Sequence, residues 1–153
     1  MQVSRKKTRK YLVQKLYARI YWEVEESNFY AAFFDGIFDF TPDTTYLDEM
    51  FSLVVEHQNE ILHIIKLYAP KFDLDTMLKT NILAISIAIT EMLWIKEEIP
   101  AKVSINEAID LAKYYWDDTS KAVVNGILNS FFTHIENHQK SDKKLEENYI
   151  FFQ

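Results

Sequence analysis

The sequence predicts an all-α fold, and three observations carry that prediction. Only two glycines and three prolines punctuate 153 residues, so the many turns of a β fold have little to build on. Apolar residues recur every three or four positions over long uninterrupted stretches, the period of a helix with one buried face. Hydrophobic residues make up 48% of the chain, enough for the core of a single domain.

A first helix is expected from about Ser4 to Glu25, burying Leu12, Val13, Leu16, Tyr17, Ile20 and Val24 while Lys6, Lys7 and Lys10 share another side. Ser27 and Asn28 precede a second, with Phe29, Tyr30, Phe33, Phe34, Ile37 and Phe38 at helical spacing. Aromatics this dense on one face read as core, since a base-stacking platform would be sparser and exposed. Thr41-Pro42-Asp43 restarts the chain, with proline suited to a first helical position. A third helix is expected over Asp43 to Tyr68, with Leu47, Met50, Phe51, Val54, Ile61, Leu62, Ile65 and Tyr68 inward and Pro70 as its stop. The fourth, Asp73 to Lys96, is apolar on all sides between Ile82 and Ile89 and reads as the most enclosed.

Two more helices follow between Ile99 and Phe132. Ser104 and Glu107 have the spacing of a capping box, which sets the expected start of the fifth; Ile105, Ala108, Ile109, Ala112 and Tyr115 form its inner face. Trp116 to Thr119 break the period, and Asp118 or Thr119 is expected to cap the sixth, whose apolar residues are Val123, Val124, Ile127, Leu128, Phe131 and Phe132. Gly126 costs that helix about 1 kcal/mol against alanine, which points to close crossing by another helix. Asn106 and Asn125 lie in core-facing runs and are expected to bond backbone groups or each other. Residues 1–138 form the expected domain and 139–153 a flexible tail, with docking of the apolar end Tyr149 to Phe152 as the alternative.

Charge is strongly polarised. The first nineteen residues hold Arg5, Lys6, Lys7, Arg9, Lys10, Lys15 and Arg19 and no acid, leaving ten basic against twenty-three acidic residues in the remainder. A cationic end on an acidic body is suited to phosphate, although basic N-termini are also common as plain solvated helix starts.

Other chemistries find little footing. No cysteine is present, which removes disulfides, thiolate metal sites and a cysteine nucleophile and fits a reducing cytoplasm. The apolar run from Ile82 to Thr90 ends at Glu91, short of the roughly 20 residues a bilayer requires. No secretory signal is expected, since no apolar run follows the basic start. His57 and His63 are six apart and point to different sides. His134 and His138 share a helical face but lack a third ligand, so neither a metal nor another cofactor is expected. Glycine-rich phosphate loops and nucleophile triads are absent, and the acid pairs Glu97-Glu98 and Asp117-Asp118 read as solvated or capping groups. The expectation is a non-enzymatic protein.

The strings Ile99-Pro100, Lys102-Val103, Ile105-Asn106-Glu107-Ala108, Leu111-Ala112-Lys113 and Val124-Asn125-Gly126-Ile127-Leu128 carry a family resemblance. They resemble the C-terminal signature of the NusB family of bacterial transcription antitermination factors. Val13-Gln14-Lys15-Leu16-Tyr17 behind the basic run is similar to that family's Val-Gln-x-Leu-Tyr string. The resemblance implies an all-α domain of two packed helical subbundles. It also implies binding of boxA-like RNA in ribosomal RNA leader transcripts, together with the small-subunit ribosomal protein NusE, within the RNA polymerase antitermination complex. Homodimerisation occurs among members and stays open here.

Carried over position by position, the resemblance implies phosphate contacts by Arg5, Lys6, Lys7 and Arg9, with Tyr17 nearby, Glu91 as a polar contact, and Tyr115 and Thr119 in a loop brought to the RNA. Tyr115 keeps a ring able to stack on an unpaired base. The chain departs from the family at Trp116, where glycine is usual, at Val123, where an aromatic is frequent, and at Asn81-Ile82 and Ser86, where the family shows an Asp-Arg pair and a second arginine. The alternative reading is a NusB-like protein adaptor that has lost specific RNA binding. A NusB-like domain also opens certain rRNA cytosine methyltransferases, a third reading for which this sequence offers no cofactor-binding domain.

Overall fold

The computed structural model describes residues 3–21, 40–115, 117–139 and 151–152. Among these it is all-α: α1 Arg5–Tyr21, α2 Thr44–Glu56, α3 Gln58–Tyr68, α4 Lys79–Leu93, α5 Ala101–Tyr115, α6 Asp118–Thr133 and the single turn α7 Glu136–Gln139. Among the described residues the one β contact is an isolated parallel bridge between Val3 and Thr41. The expected second helix, from Phe29 to Phe38, lies outside the described residues.

Helix α4 is the axis of the assembly. It packs against α1, α2, α3, α5 and α6, and every residue from Asn81 to Glu91 is buried. That fits a helix apolar on all sides, which cannot present a polar face to water. Helices α1 and α2 pack on it and on each other, α5 and α6 do the same from the other side, and α3 reaches across to α6. Two groups of helices thus share α4. Ser86 and Thr90, polar within this enclosed helix, satisfy their hydroxyls on Ile82 O at 2.6 Å and Ser86 O at 2.7 Å.

Several boundaries differ from the sequence reading. The expected helix from Asp43 to Tyr68 is two, broken at His57, which ends α2 and begins α3. The His57 ring stacks on Trp94 with centroids 4.0 Å apart, a packing interaction that local sequence does not contain. Asp73 opens a turn rather than α4, accepting at its carbonyl from the Thr76 and Met77 amides.

Helix α5 starts at Ala101, with Pro100 O accepting from the Val103 and Ser104 amides. Ser104 is therefore inside the helix and caps nothing. Asp117, rather than Asp118 or Thr119, caps α6 by accepting from the Thr119 amide at 3.0 Å. Gly126 meets no close neighbour: a Cβ built there has nothing within 4 Å. Asn106 and Asn125 are exposed, and the Asn129 amide donates to Asn125. No described helix is long and apolar enough to cross a membrane.

Of the residues after 139, only Phe151 and Phe152 are described, and they contact the body. Phe151 and Phe152 donate their amides to Gln58 Oε1 at 2.6 and 2.8 Å, and Phe152 is 4% exposed.

Candidate nucleic-acid interface

The N-terminal turns of α1 create an electrostatic problem. Ser4 begins the helix well, its Oγ accepting from the Lys7 amide at 3.2 Å. Yet the first turn is basic and holds no acid, and cations are unfavourable at the positive end of a helix dipole. Carboxylates from elsewhere offset this. Arg5 donates to Asp43 Oδ2 through Nε at 3.0 Å and Nη2 at 2.8 Å, and to Glu97 through Nη1 at 2.6 Å and Nη2 at 3.1 Å. Its guanidinium also lies 4.2 Å above the centre of the Tyr46 ring.

The Arg5 hydrogen bond holds the Glu97 carboxyl below its ordinary pKa despite slight desolvation. Burial pushes Asp43 up, but Arg5 and the Tyr46 amide bring it below the usual range. Lys6 meets Asp110 at 2.9 Å and Glu107 at 3.4 Å.

One turn further, Arg9 points inward. Its Nε donates to Glu91 Oε2 at 2.8 Å and its Nη2 to Oε1 at 3.1 Å. The two side chains are 5% and 1% exposed. Tyr46 donates its hydroxyl to the same carboxylate, and Ser104 Oγ donates to Glu91 Oε1 at 2.9 Å. Four helices meet at one buried anion, whose charge and hydrogen-bonding capacity are answered as burial requires. Burial and the Glu91 charge push the Tyr46 hydroxyl well above its ordinary pKa.

This placement reorders the expected site. Arg9 and Glu91 lie inside the protein and in this geometry do not face an external phosphate. Lys15 is also interior, 1% exposed, with Nζ 4.2 Å from the centre of the Phe51 ring. Tyr17, expected inward, is 41% exposed and stands beside Tyr21 with ring centroids 5.6 Å apart. Tyr115 is half-buried: its hydroxyl donates to Lys10 O at 2.8 Å, and burial, chiefly, pushes its pKa up to about 12. Thr119 is exposed at the start of α6, with its amide on Asp117.

Gln14, Tyr21 and Tyr114, which sequence reasoning did not single out, lie beside the expected Lys7 and Tyr17. Lys7, Lys10, Gln14, Tyr17 and Tyr21 follow one another at intervals of three and four, one line along α1. Tyr114, beside Tyr115, is 60% exposed. The spacing was available from sequence; the outward turn of Tyr114 was not.

His134 and His138 are engaged within the protein. The first hydrogen-bonds Ser130 O at 3.0 Å and the second the Tyr68 hydroxyl at 2.7 Å.

The model of the NusB family matches residues 6–133, from the first turn of α1 to the end of α6. The chain belongs to the NusB family. A transcription antitermination protein NusB from Lachnoclostridium phytofermentans is 34% identical over 128 residues, covering 82% of this chain and 96% of the relative. One from Methylacidiphilum infernorum is 31% identical over 132 residues, covering 84% and 90%. A shorter match, to the NusB of Agathobacter rectalis, reaches 40% over 86 residues, 56% of this chain and 65% of the relative.

A chain of the solved structure "Crystal Structure of a Plectonemic RNA Supercoil" has the same fold at a TM-score of 0.72 and 20% identity, over 86% of this chain and 96% of that one. The NusB match ends before the seated Phe151 and Phe152, so that contact lies outside the matched region. Ile82 and Ser86 are buried in α4, and the internal ion pair of this chain is formed by Arg9 and Glu91.

Proposed function

We propose that this chain is a non-enzymatic, cytoplasmic RNA-binding antitermination factor. In this reading it holds boxA-like single-stranded RNA of ribosomal RNA leader transcripts together with the ribosomal protein NusE, as part of the antitermination complex on RNA polymerase. The observation that carries the reading is family membership across 6–133, which takes in α1 through α6.

In this reading Lys6, Lys7 and Arg5 approach phosphates, and Tyr17, Tyr115 and Thr119 border the strand. Arg9 and Glu91 act from within by fixing α1 to α4. Lysines and arginines near phosphates give affinity by releasing counterions, and exposed rings give stacking; neither requires a catalytic group.

One observation favours a second reading, an adaptor that keeps the protein partner and has lost specific RNA binding. Arg5, Lys6 and Arg9 already face Asp43, Glu97, Asp110, Glu107 and Glu91, so fewer cations are left to displace counterions. Filter binding of boxA-like and scrambled single strands across a salt series separates the two. The leading reading requires preference for the boxA-like strand, affinity that falls with salt, and loss on Lys6→Gln/Lys7→Gln. Capture of NusE without any such preference would establish the second.

A further inference from the structure

We propose that Lys10 and Tyr114 form a nucleotide subsite where α1 meets the end of α5, taking one unpaired base on the Tyr114 ring and an adjoining phosphate on Lys10 Nζ. The proposal rests on the RNA-binding reading and assigns it a contact that family resemblance does not supply.

Tyr115 was the expected stacking ring, but it is half-buried with its hydroxyl engaged on Lys10 O. Tyr114 is the ring presented to solvent. It is also held in place. The Tyr115 ring stands perpendicular to it, with centroids 4.9 Å apart, and the Tyr115 hydroxyl ties this end of α5 to α1 at Lys10. A preset ring loses less rotamer freedom when a base lands on it.

Lys10 Nζ lies 3.9 Å from the centre of the Tyr114 ring. Arg5, Lys6 and Arg9 each meet carboxylates, whereas among the described residues the partner of the Lys10 ammonium is this ring. A ring quadrupole orients a cation without neutralising it, so the charge remains able to attract phosphate. Lys10 lies over one face of the ring, and the residue stays 60% exposed, so surface remains for a base. From this point the exposed Tyr17 and Tyr21 continue along α1, an aromatic track for the rest of a single strand.

The test is fluorescence anisotropy of the full chain with a labelled 12-nucleotide boxA-like RNA and with the same strand carrying one abasic position. Tyr114→Ala is expected to weaken binding about tenfold, to bind intact and abasic strands alike, and to leave the melting temperature unchanged because the ring is exposed. Tyr114→Phe keeps the π-face and is expected to retain affinity. Lys10→Gln should reduce the slope of log affinity against log salt by about 0.7.

Wild-type affinity in Tyr114→Ala, with weakening in Lys7→Gln or Tyr17→Ala, would overturn the subsite and leave the RNA reading standing. No RNA binding by the wild type would overturn both. Unchanged RNA affinity with loss of NusE capture would assign the ring to a protein interface and also overturn the subsite.

Discussion

Arg9 on α1 and Glu91 on α4 meet inside the protein, Nε to Oε2 at 2.8 Å, although 82 positions separate them. A carboxylate and a guanidinium out of water must answer each other, and the removal of one partner strands the other. Such a loss costs about 3–5 kcal/mol. Arg9→Met is therefore expected to destabilise the protein by that amount in urea unfolding, with or without RNA. Arg9→Met/Glu91→Gln should recover much of the loss, since the amide oxygen still accepts from the Tyr46 hydroxyl and the amide NH2, in place of the other carboxylate oxygen, can donate to the Ser104 hydroxyl oxygen. A stability unchanged in Arg9→Met would mean that the arginine serves outside the core.

Acid should loosen the start of α1. Asp43 and Glu97 have folded pKa values held below their ordinary 3.8 and 4.5. Their contribution is then fully present above those ordinary values and is lost as pH falls through the lower folded ones. Urea melts from pH 7 to pH 3 are expected to be level at first and to decline below about pH 4.5. Arg5→Met should start lower and fall less steeply across the same window. Parallel curves would show that Arg5 does not set these two carboxyls.

Gly126 offers a gain. It lies within α6, open space surrounds the position where a Cβ would project, and no unusual backbone angle is present. Gly126→Ala is expected to stabilise the chain by about 0.5–1 kcal/mol through helix propensity alone. A fall in melting temperature would reveal a neighbour that approaches this spot in solution.

The seated end of the chain should be measurable too. Burial of a phenylalanine side chain is worth roughly 1.5–3 kcal/mol, so Phe152→Ala is expected to lower stability by about 2 kcal/mol. Gln58→Ala, which removes the acceptor for two amides, should lower it as well. Hydrogen exchange would check the same contact: the Phe151 and Phe152 amides should be protected in the wild type and fast in Gln58→Ala.

Periodicity in the sequence was sufficient for the interiors of α1, α4, α5 and α6, because a repeating apolar stripe is a local record of which face is buried. It was poor at the joints. At the break, His57 stacks on the distant Trp94, and Ser104 has the spacing of a cap but lies one turn into a helix that Pro100 had already begun, so its hydroxyl turns to Glu91. The burial of Arg9 and Lys15 was equally hidden, since a charged residue enters a core only when a distant partner or ring awaits it. Tyr17 was misjudged, and Tyr114 passed over, for a related reason: an aromatic at helical spacing looks the same in sequence whether its side of the helix is covered or bare.

The enclosure of α4 on every side also sets a clock. Its amides, from Asn81 to Glu91, have no surface from which to fray, so exchange with solvent must wait for the surrounding helices to part together. The slowest protons in this protein should lie there, and their rate should track the unfolding free energy of the whole domain.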